Sequence, residues 1–135
     1  MLYQTQFHSD GCLDYLLWGA AVVYDQYPYA RQEFDKLTFL KLVHEELHGL
    51  PVITCSNDGD FGGIIVLSDF IRDVHIAGYG FHIGHIVVPL GYDKVLPLML
   101  KELKREILSR GGSWYNIGQR TGLLTANTRF RRVHG

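Results

Sequence analysis

The sequence predicts an α+β domain in which a mostly antiparallel sheet carries helices on both faces. Three observations support this: helical periodicity early in the chain, short apolar runs after it, and one long amphipathic stretch between two further runs. The predicted element order is β-α-α-β-β-β-α-β-β, which is typical of a layered α+β fold. With 135 residues, 47% hydrophobic and 20% charged, residues 1–135 are predicted to form a single globular domain.

The chain is predicted to begin with a short strand followed by a helix. Residues Leu2–His8 alternate in polarity, and Ser9 or Asp10 is a suitable helix N-cap. Leu13–Tyr24 has helical spacing, and Tyr27-Pro28-Tyr29 ends it because proline disrupts the helical hydrogen bonds.

A second helix is predicted from about Ala30 to Leu47. Its apolar residues recur at helical spacing, and Gly49 and Pro51 end it. The residues expected to point inward are Phe34, Leu37, Leu40, Val43 (or His44) and Leu47.

The periodicity then changes to that of strands. Pro51–Ser56 and Gly62–Leu67 are apolar runs separated by Asn57-Asp58-Gly59, a strong hairpin signal. Residues Ile71–Ile76 are interpreted as a continuation of the second arm.

The central stretch contains an apolar strand (Phe81–Pro89), a turn (Leu90–Lys94) and a long amphipathic helix closed by Gly111-Gly112. In many α/β proteins this arrangement holds a phosphate-bearing ligand, because the first helical turn offers unpaired N–H groups and a positive dipole end.

Two strands complete the predicted sheet. Ser113–Gln119 is followed by a turn at Arg120-Thr121-Gly122 and a last strand over Leu123–Val133.

The composition excludes several classes of protein. A net charge of -1 argues against general nucleic-acid binding, and two cysteines cannot form a disulfide framework. No apolar run reaches membrane-spanning length, and the N terminus lacks a signal-peptide layout. We therefore expect no membrane span and no secretion through a signal peptide.

The element order resembles that of the GNAT superfamily of N-acetyltransferases, over nearly the whole chain. The resemblance implies that the strand ending at Pro89 and the following helix hold acetyl-CoA. It places Val87 and Val88 along the pantetheine arm, and Gly91 and Lys94 at the pyrophosphate.

The predicted pyrophosphate turn departs from the family pattern. The family has Gln/Arg-x-x-Gly-x-Gly/Ala, whereas Pro89–Leu96 contains one early glycine. Asp93 opposes an anion, and Pro97 removes an N–H donor near the helix start. Without glycines the backbone cannot approach phosphates closely.

We therefore predict a non-catalytic GNAT-like component that binds protein partners in a larger assembly, with no cofactor. Small GNAT-like proteins of short-tailed bacteriophages are loosely similar, which predicts a virion or internal, ejected protein located in a virion or the host cytoplasm. The alternative is an acetyl-CoA-dependent N-acetyltransferase with an atypical pyrophosphate turn.

A third hypothesis is a small zinc metallohydrolase. The segment His44-Glu45-Glu46-Leu47-His48 matches H-E-x-x-H, in which histidines at i and i+4 of a helix share a zinc ion and Glu45 polarises a water. Gly49-Leu50-Pro51 ends the helix at once, so our main prediction contains no metal site.

Two further groups of residues have candidate roles. His82 and His85 lie three apart in a strand, which predicts opposite faces, and one of them is a candidate base in an acetyltransferase. Arg129, Arg131 and Arg132 on the last strand are predicted to bind a partner; the alternative is a charged edge that prevents aggregation.

Overall fold

A computed structural model of this protein describes residues 2–120 and 126–134. The elements are β1 (Tyr3–His8), α1 (Leu13–Gln26), α2 (Pro28–Glu33), α3 (Lys36–Leu47), β2 (Val52–Asn57), β3 (Asp60–Leu67), β4 (Ile71–Arg72), β5 (Tyr79–Val87), α4 (Val95–Ser109), β6 (Trp114–Arg120) and β7 (Ala126–Arg132).

Within the described residues the seven strands form one sheet in the order β1-β2-β3-β5-β6-β7, and β4 pairs with β5. All neighbouring strands are antiparallel except β5 and β6, which are parallel. The α+β class and the mostly antiparallel sheet are therefore confirmed.

Helix α4 covers one face of the sheet. Val95, Met99, Leu103 and Ile107 form a buried stripe along it, because residues four apart lie on the same side of a helix. The stripe packs in a core cluster with side chains from β2, β3 and β5. This packing fixes α4 against the sheet, and the helix begins at Val95, eight residues after β5 ends at Val87.

Helix α1 covers the opposite face. Leu16 packs against Ile64, Val66 and Val87 in a second core cluster. Gly19 permits this close approach, since a Cβ atom there would lie 2.9 Å from the Ile64 Cγ2 methyl group. Helices therefore lie on both faces, as predicted.

The predicted second helix is two helices. Between α2 and α3, Asp35 has extended backbone, and its side chain accepts a hydrogen bond of 2.8 Å from the Thr38 N–H. Asp35 is therefore the N-cap of α3, which begins at Lys36. It also leaves Phe34 and Leu37 exposed, so their predicted inward orientation is wrong.

Other predicted boundaries shift in smaller ways. The N-cap of α1 is Cys12, not Ser9 or Asp10. The hairpin turn is confirmed, with positive φ at Asp58 and Gly59. The strand predicted over Ile71–Ile76 is shorter, because β4 contains only Ile71 and Arg72. The predicted turn at Arg120-Thr121-Gly122 lies mostly outside the described residues.

Among the helices that the structure describes, none has the length and apolar character needed to cross a bilayer.

Truncation of the α4 stripe should destabilise the fold. We expect Leu103→Ala to lower the free energy of unfolding by about 2–5 kcal/mol, because it removes buried methyl groups and leaves a cavity. Leu37→Ala is a matched control on exposed α3 surface and should change it by less than about 0.5 kcal/mol. Urea denaturation of both variants measures the difference. Equal losses would contradict the assigned packing of α4.

Candidate functional site

Strands β5 and β6 pair over only part of their length. Their parallel ladder has four residue pairs, Gly80↔Trp114, Phe81↔Tyr115, His82↔Asn116 and Ile83↔Ile117. Beyond the last pair, β5 continues to Val87 against β3, while β6 continues to Arg120 against β7. Residues 84–87 and residues 118–120 therefore lie beyond the end of the ladder that joins the two strands. We call the region between these two segments the strand gap.

A β-bulge in β5 coincides with the start of the strand gap. Val66 pairs with His85 and Leu67 pairs with Ile83, so Gly84 is an extra residue relative to β3. An extra residue of this kind bends the strand and increases its local twist, which directs the end of β5 away from β6.

A second glycine lies across the strand gap. A Cβ atom on Gly118 would lie 3.8 Å from His82 Cε1 and 4.0 Å from the Ile83 carbonyl oxygen. A side chain at Gly118 would therefore contact His82 and Ile83 at the closed end of the strand gap.

The bulge also changes which face the two histidines occupy. Ile83 and Ile86 both pack in the α4 core, so alternation places His82 and His85 together on the α1 face. The prediction that these histidines point to opposite faces is wrong, because Gly84 shifts the alternation by one residue.

His82 is held by contacts to two other segments. Its Nδ1 atom forms a hydrogen bond with Asn116 Oδ1, and Asn116 is buried. The His82 N–H donates to Ser68 Oγ at 3.0 Å, and the Ser68 N–H donates to the His82 carbonyl at 2.8 Å. Sequence reasoning missed Asn116 and Ser68, since nothing local to either residue indicates a histidine partner.

The residues predicted to contact acetyl-CoA lie along the route from β5 to α4. Val87 packs beneath α1, and Val88 packs against the α4 core. Gly91 has φ +85, and a Cβ there would have nothing within 4 Å. Lys94 is exposed and immediately precedes α4. The structure thus arranges the four residues in sequence from the strand gap to the helix start, and their contact with a cofactor stays a prediction.

The N terminus of α4 has no side-chain cap. Lys94 occupies the N-cap position with helical backbone angles. Its side chain has no oxygen atom that could accept a hydrogen bond from the first-turn N–H groups. The turn before it is closed by Tyr92 N–H to Pro89 O (3.2 Å) and Val95 N–H to Tyr92 O (3.1 Å). Because the Val95 N–H is bonded within the turn and Pro97 has no N–H, the helix start offers fewer donors than an ordinary first turn, although it keeps the positive dipole end.

The H-E-x-x-H segment lies at the C-terminal end of α3. Helix α3 ends at Leu47, and His48 has extended backbone with its Nδ1 atom 2.7 Å from the His44 carbonyl oxygen. The ring centroids of His44 and His48 are 5.2 Å apart, and Glu45 is exposed. The described residues contain no cluster of three or more His, Cys, Asp or Glu side chains suited to a metal. Zinc binding by His44, Glu45 and His48 stays a prediction.

The arginines of the last strand lie on a sheet edge. Arg129, Arg131 and Arg132 are exposed on β7, whose neighbour is β6. Alternation places Arg129 and Arg131 on one face and Arg132 on the other. Their role in binding a partner stays a prediction.

A polar cavity of about 430 Å³ lies near the β1 edge of the sheet, away from the strand gap. Within it, His8 Nε2 is 2.9 Å from Thr54 Oγ1, and burial lowers the pKa of His8 below its ordinary value. Its lining residues are Gln4, Thr5, Gln6, His8, Tyr15, Thr54 and Ser56.

Solved structures with the same architecture are acetyltransferases. An aminoglycoside acetyltransferase from an uncultured soil metagenomic sample is 11% identical, with a TM-score of 0.62 over 91% of this chain and 83% of that chain. A GNAT-family acetyltransferase from Staphylococcus aureus is 12% identical, with a TM-score of 0.62 over 98% and 100%. A ribosomal-protein-alanine N-acetyltransferase from Brucella melitensis is 14% identical, with a TM-score of 0.61 over 89% and 82%. No protein-family model matches the sequence, and no curated protein matches it.

The chain therefore has the GNAT fold, as the element order predicted. The prediction of a non-catalytic bacteriophage component is wrong, because the solved structures that share this fold are acetyltransferases. That prediction depended on the glycine-poor turn, whereas the strand gap depends on long-range pairing.

The partly buried His8 should make stability depend on pH. Its folded-state pKa lies below the unfolded value of 6.5, so the unfolded chain takes up a proton first as pH falls. We expect the free energy of unfolding to decrease below about pH 6.5 and this contribution to vanish above it. His8→Gln should make the decrease between pH 7 and 5 shallower, as measured by urea denaturation. Gln6→Ala, a neutral change in the same cavity, should retain the wild-type slope, and an unaltered slope for His8→Gln would contradict the assignment.

Proposed function

We propose that this protein is an acyl-CoA-dependent N-acyltransferase that transfers an acetyl group from acetyl-CoA to an amine. The strand gap is the observation that carries the proposal. It lies between the two parallel strands of a fold shared with acetyltransferases, and a bulge and a glycine on its two sides keep it open.

The strand gap suits the pantetheine arm of the cofactor. Backbone N–H and C=O groups of a strand point alternately to its two sides, and among the described residues the strand pairing of β5 beyond Ile83 is with β3. Groups on the other side face the strand gap, where the amides of an extended ligand can pair with them as an added strand would. Residues 84–87, including Val87, would hold the arm, and acetyl-CoA would supply the acetyl thioester.

The start of α4 suits the pyrophosphate. The positive end of the helix dipole favours an anion, and no side chain caps the first turn, although Pro97 has no N–H and the Val95 N–H donates to Tyr92 O. Gly91 lets the preceding turn adopt a positive φ. Lys94 adds a positive charge that attracts the pyrophosphate, whereas the carboxylate of Asp93 repels it. We expect these groups to bind phosphate more weakly than a glycine-rich turn would.

The acceptor is proposed to be a primary amine. Two of the solved structures are named for acetylation of aminoglycosides and of ribosomal-protein alanine. Kanamycin and a peptide with N-terminal alanine are therefore the first acceptors to assay.

Acetyl-CoA should stabilise the protein through the strand gap. At a concentration about 100 times the Kd, ligand binding adds about 2.7 kcal/mol to the free energy of unfolding. Differential scanning fluorimetry should therefore show a higher Tm for the wild type. Gly118→Val should abolish most of this shift, because its methyl groups enter the strand gap beside Ile83.

Thr128→Val is the matched control, since Thr128 pairs with Gly118 from β7 on the side away from the strand gap. It should retain the wild-type shift, and both variants should keep the wild-type Tm without ligand. No shift of the wild type at millimolar acetyl-CoA would overturn the proposal. An undiminished shift in Gly118→Val would place the cofactor elsewhere.

Charges at the start of α4 should tune cofactor affinity. Asp93→Asn should strengthen acetyl-CoA binding and Lys94→Ala should weaken it, each by about 2–5-fold, since a charge near a helix terminus contributes about 0.3–1 kcal/mol. Isothermal titration at low ionic strength measures both effects, which salt should diminish. S-acetylpantetheine, which lacks the pyrophosphate, is the control ligand: neither substitution should alter its binding. Equal effects on both ligands would exclude a pyrophosphate at this position.

A further inference from the structure

We propose that His82 is the general base of the transfer, and that Asn116 is the positioning residue that holds it in its proton-accepting form. The proposal rests on the N-acyltransferase function proposed above and names a residue of the same site.

The contact with Asn116 determines which ring nitrogen carries the proton. A carboxamide oxygen can only accept a hydrogen bond, so Nδ1 of His82 must donate to Asn116 Oδ1. A neutral imidazole protonated at Nδ1 has a lone pair at Nε2. The structure therefore presents the basic nitrogen of His82 on the ring edge opposite the carboxamide.

The imidazole ring of His82 lies near the closed end of the strand gap. His82 forms the ladder pair just before Ile83↔Ile117, the last pair of β5 with β6. The Cε1 atom, which lies between Nδ1 and Nε2 in the ring, is the His82 atom nearest to a Cβ built on Gly118. Because Gly118 has no side chain, a reactant at this end of the strand gap can approach the ring.

The orientation of His82 is over-determined, as a base in a fixed geometry requires. Its backbone is bonded to Ser68 through both the N–H and the carbonyl, and its ring is bonded to a buried side chain. The side chain itself is only half-buried, so it remains accessible. A base buried on all sides would not meet an incoming amine.

Few charged groups share this face with His82. By strand alternation they are His85 on β5 and Arg132 on β7. The facing residues of β6 and of the segment after β3, which are Asn116, Gly118 and Ser68, are uncharged. The α1 residues packed on this face, including Leu16, Gly19 and Ala20, are also neutral. No described carboxylate on these positions competes with His82 for the proton.

The chemical step is balanced as follows. The amine nitrogen forms a bond to the thioester carbonyl carbon as the C–S bond breaks, and the electron pair of that bond remains on sulfur. His82 Nε2 takes the proton that the amine loses and later returns it to solvent. The sulfur takes a proton from water, so the products are an amide and the free thiol.

The tautomer of His82 can be measured without any ligand. Long-range ¹H–¹⁵N NMR of uniformly labelled protein should show His82 protonated at Nδ1 near neutral pH. Asn116→Ala should abolish this preference, whereas Asn116→Asp retains an acceptor oxygen and should preserve it. Protonation at Nε2 in the wild type would overturn the proposal.

The kinetic test compares His82→Gln with His75→Gln, an exposed histidine in the segment between β4 and β5. With acetyl-CoA and kanamycin or the alanine peptide, His82→Gln should lower kcat by about 10²–10⁴-fold and remove the acid limb of the pH–rate profile. Its Kd for acetyl-CoA should remain that of the wild type, and His75→Gln should behave as wild type throughout.

The outcomes distinguish this proposal from the one it rests on. Wild-type protein that binds no acetyl-CoA would overturn both. Wild-type protein that transfers acetyl groups, with an unchanged pH–rate profile in His82→Gln, would overturn the role of His82 alone. A loss of rate in Asn116→Ala that Asn116→Asp restores, with the acid limb retained, would support a positioning role for Asn116.

Discussion

The extra residue at Gly84 is the constraint on which the candidate site depends. Up to Ile83, β5 is paired on both sides, and after the bulge it is paired with β3 alone. A strand bent at this point cannot remain in register with a straight parallel neighbour, so β6 continues with β7 instead. The same residue brings His82 and His85 to one face. One local irregularity thus sets both the opening and the side chains beside it.

The two helical layers hold this irregularity in place. The buried stripe of α4 on one face and α1 on the other pack against β2, β3 and β5, so the core holds the residues that flank the bulge, while Gly84 itself is exposed. Because α4 is held by its stripe, its N terminus keeps a constant position relative to the end of β5. The glycine-poor turn between them therefore connects two elements whose placement does not depend on it, and a weak phosphate site does not imply a lost strand gap.

The functional prediction from sequence failed for a related physical reason. It took the missing glycines of residues 89–96 as evidence of lost activity, since a close approach of backbone to phosphate requires them. The H-E-x-x-H match is likewise a local pattern, and its second histidine, His48, lies one residue beyond the end of α3. In both cases a short motif was given more weight than the long-range pairing around it.

The sequence by itself determined the class of the fold and most of its elements. The spacing of Val95, Met99 and Leu103, and the turn at Asp58-Gly59, depend on interactions within a few residues, so local patterns predict them well. The break at Asp35 was missed although it is local, because the apolar spacing continues across it. Only the tertiary structure decided that Gly84 is a bulge, that Asn116 and Ser68 hold His82, and that β5 and β6 diverge after Ile83. These features depend on pairing between residues 14 to 34 positions apart in the sequence. Hydrophobic periodicity does not indicate which distant residues pair with each other.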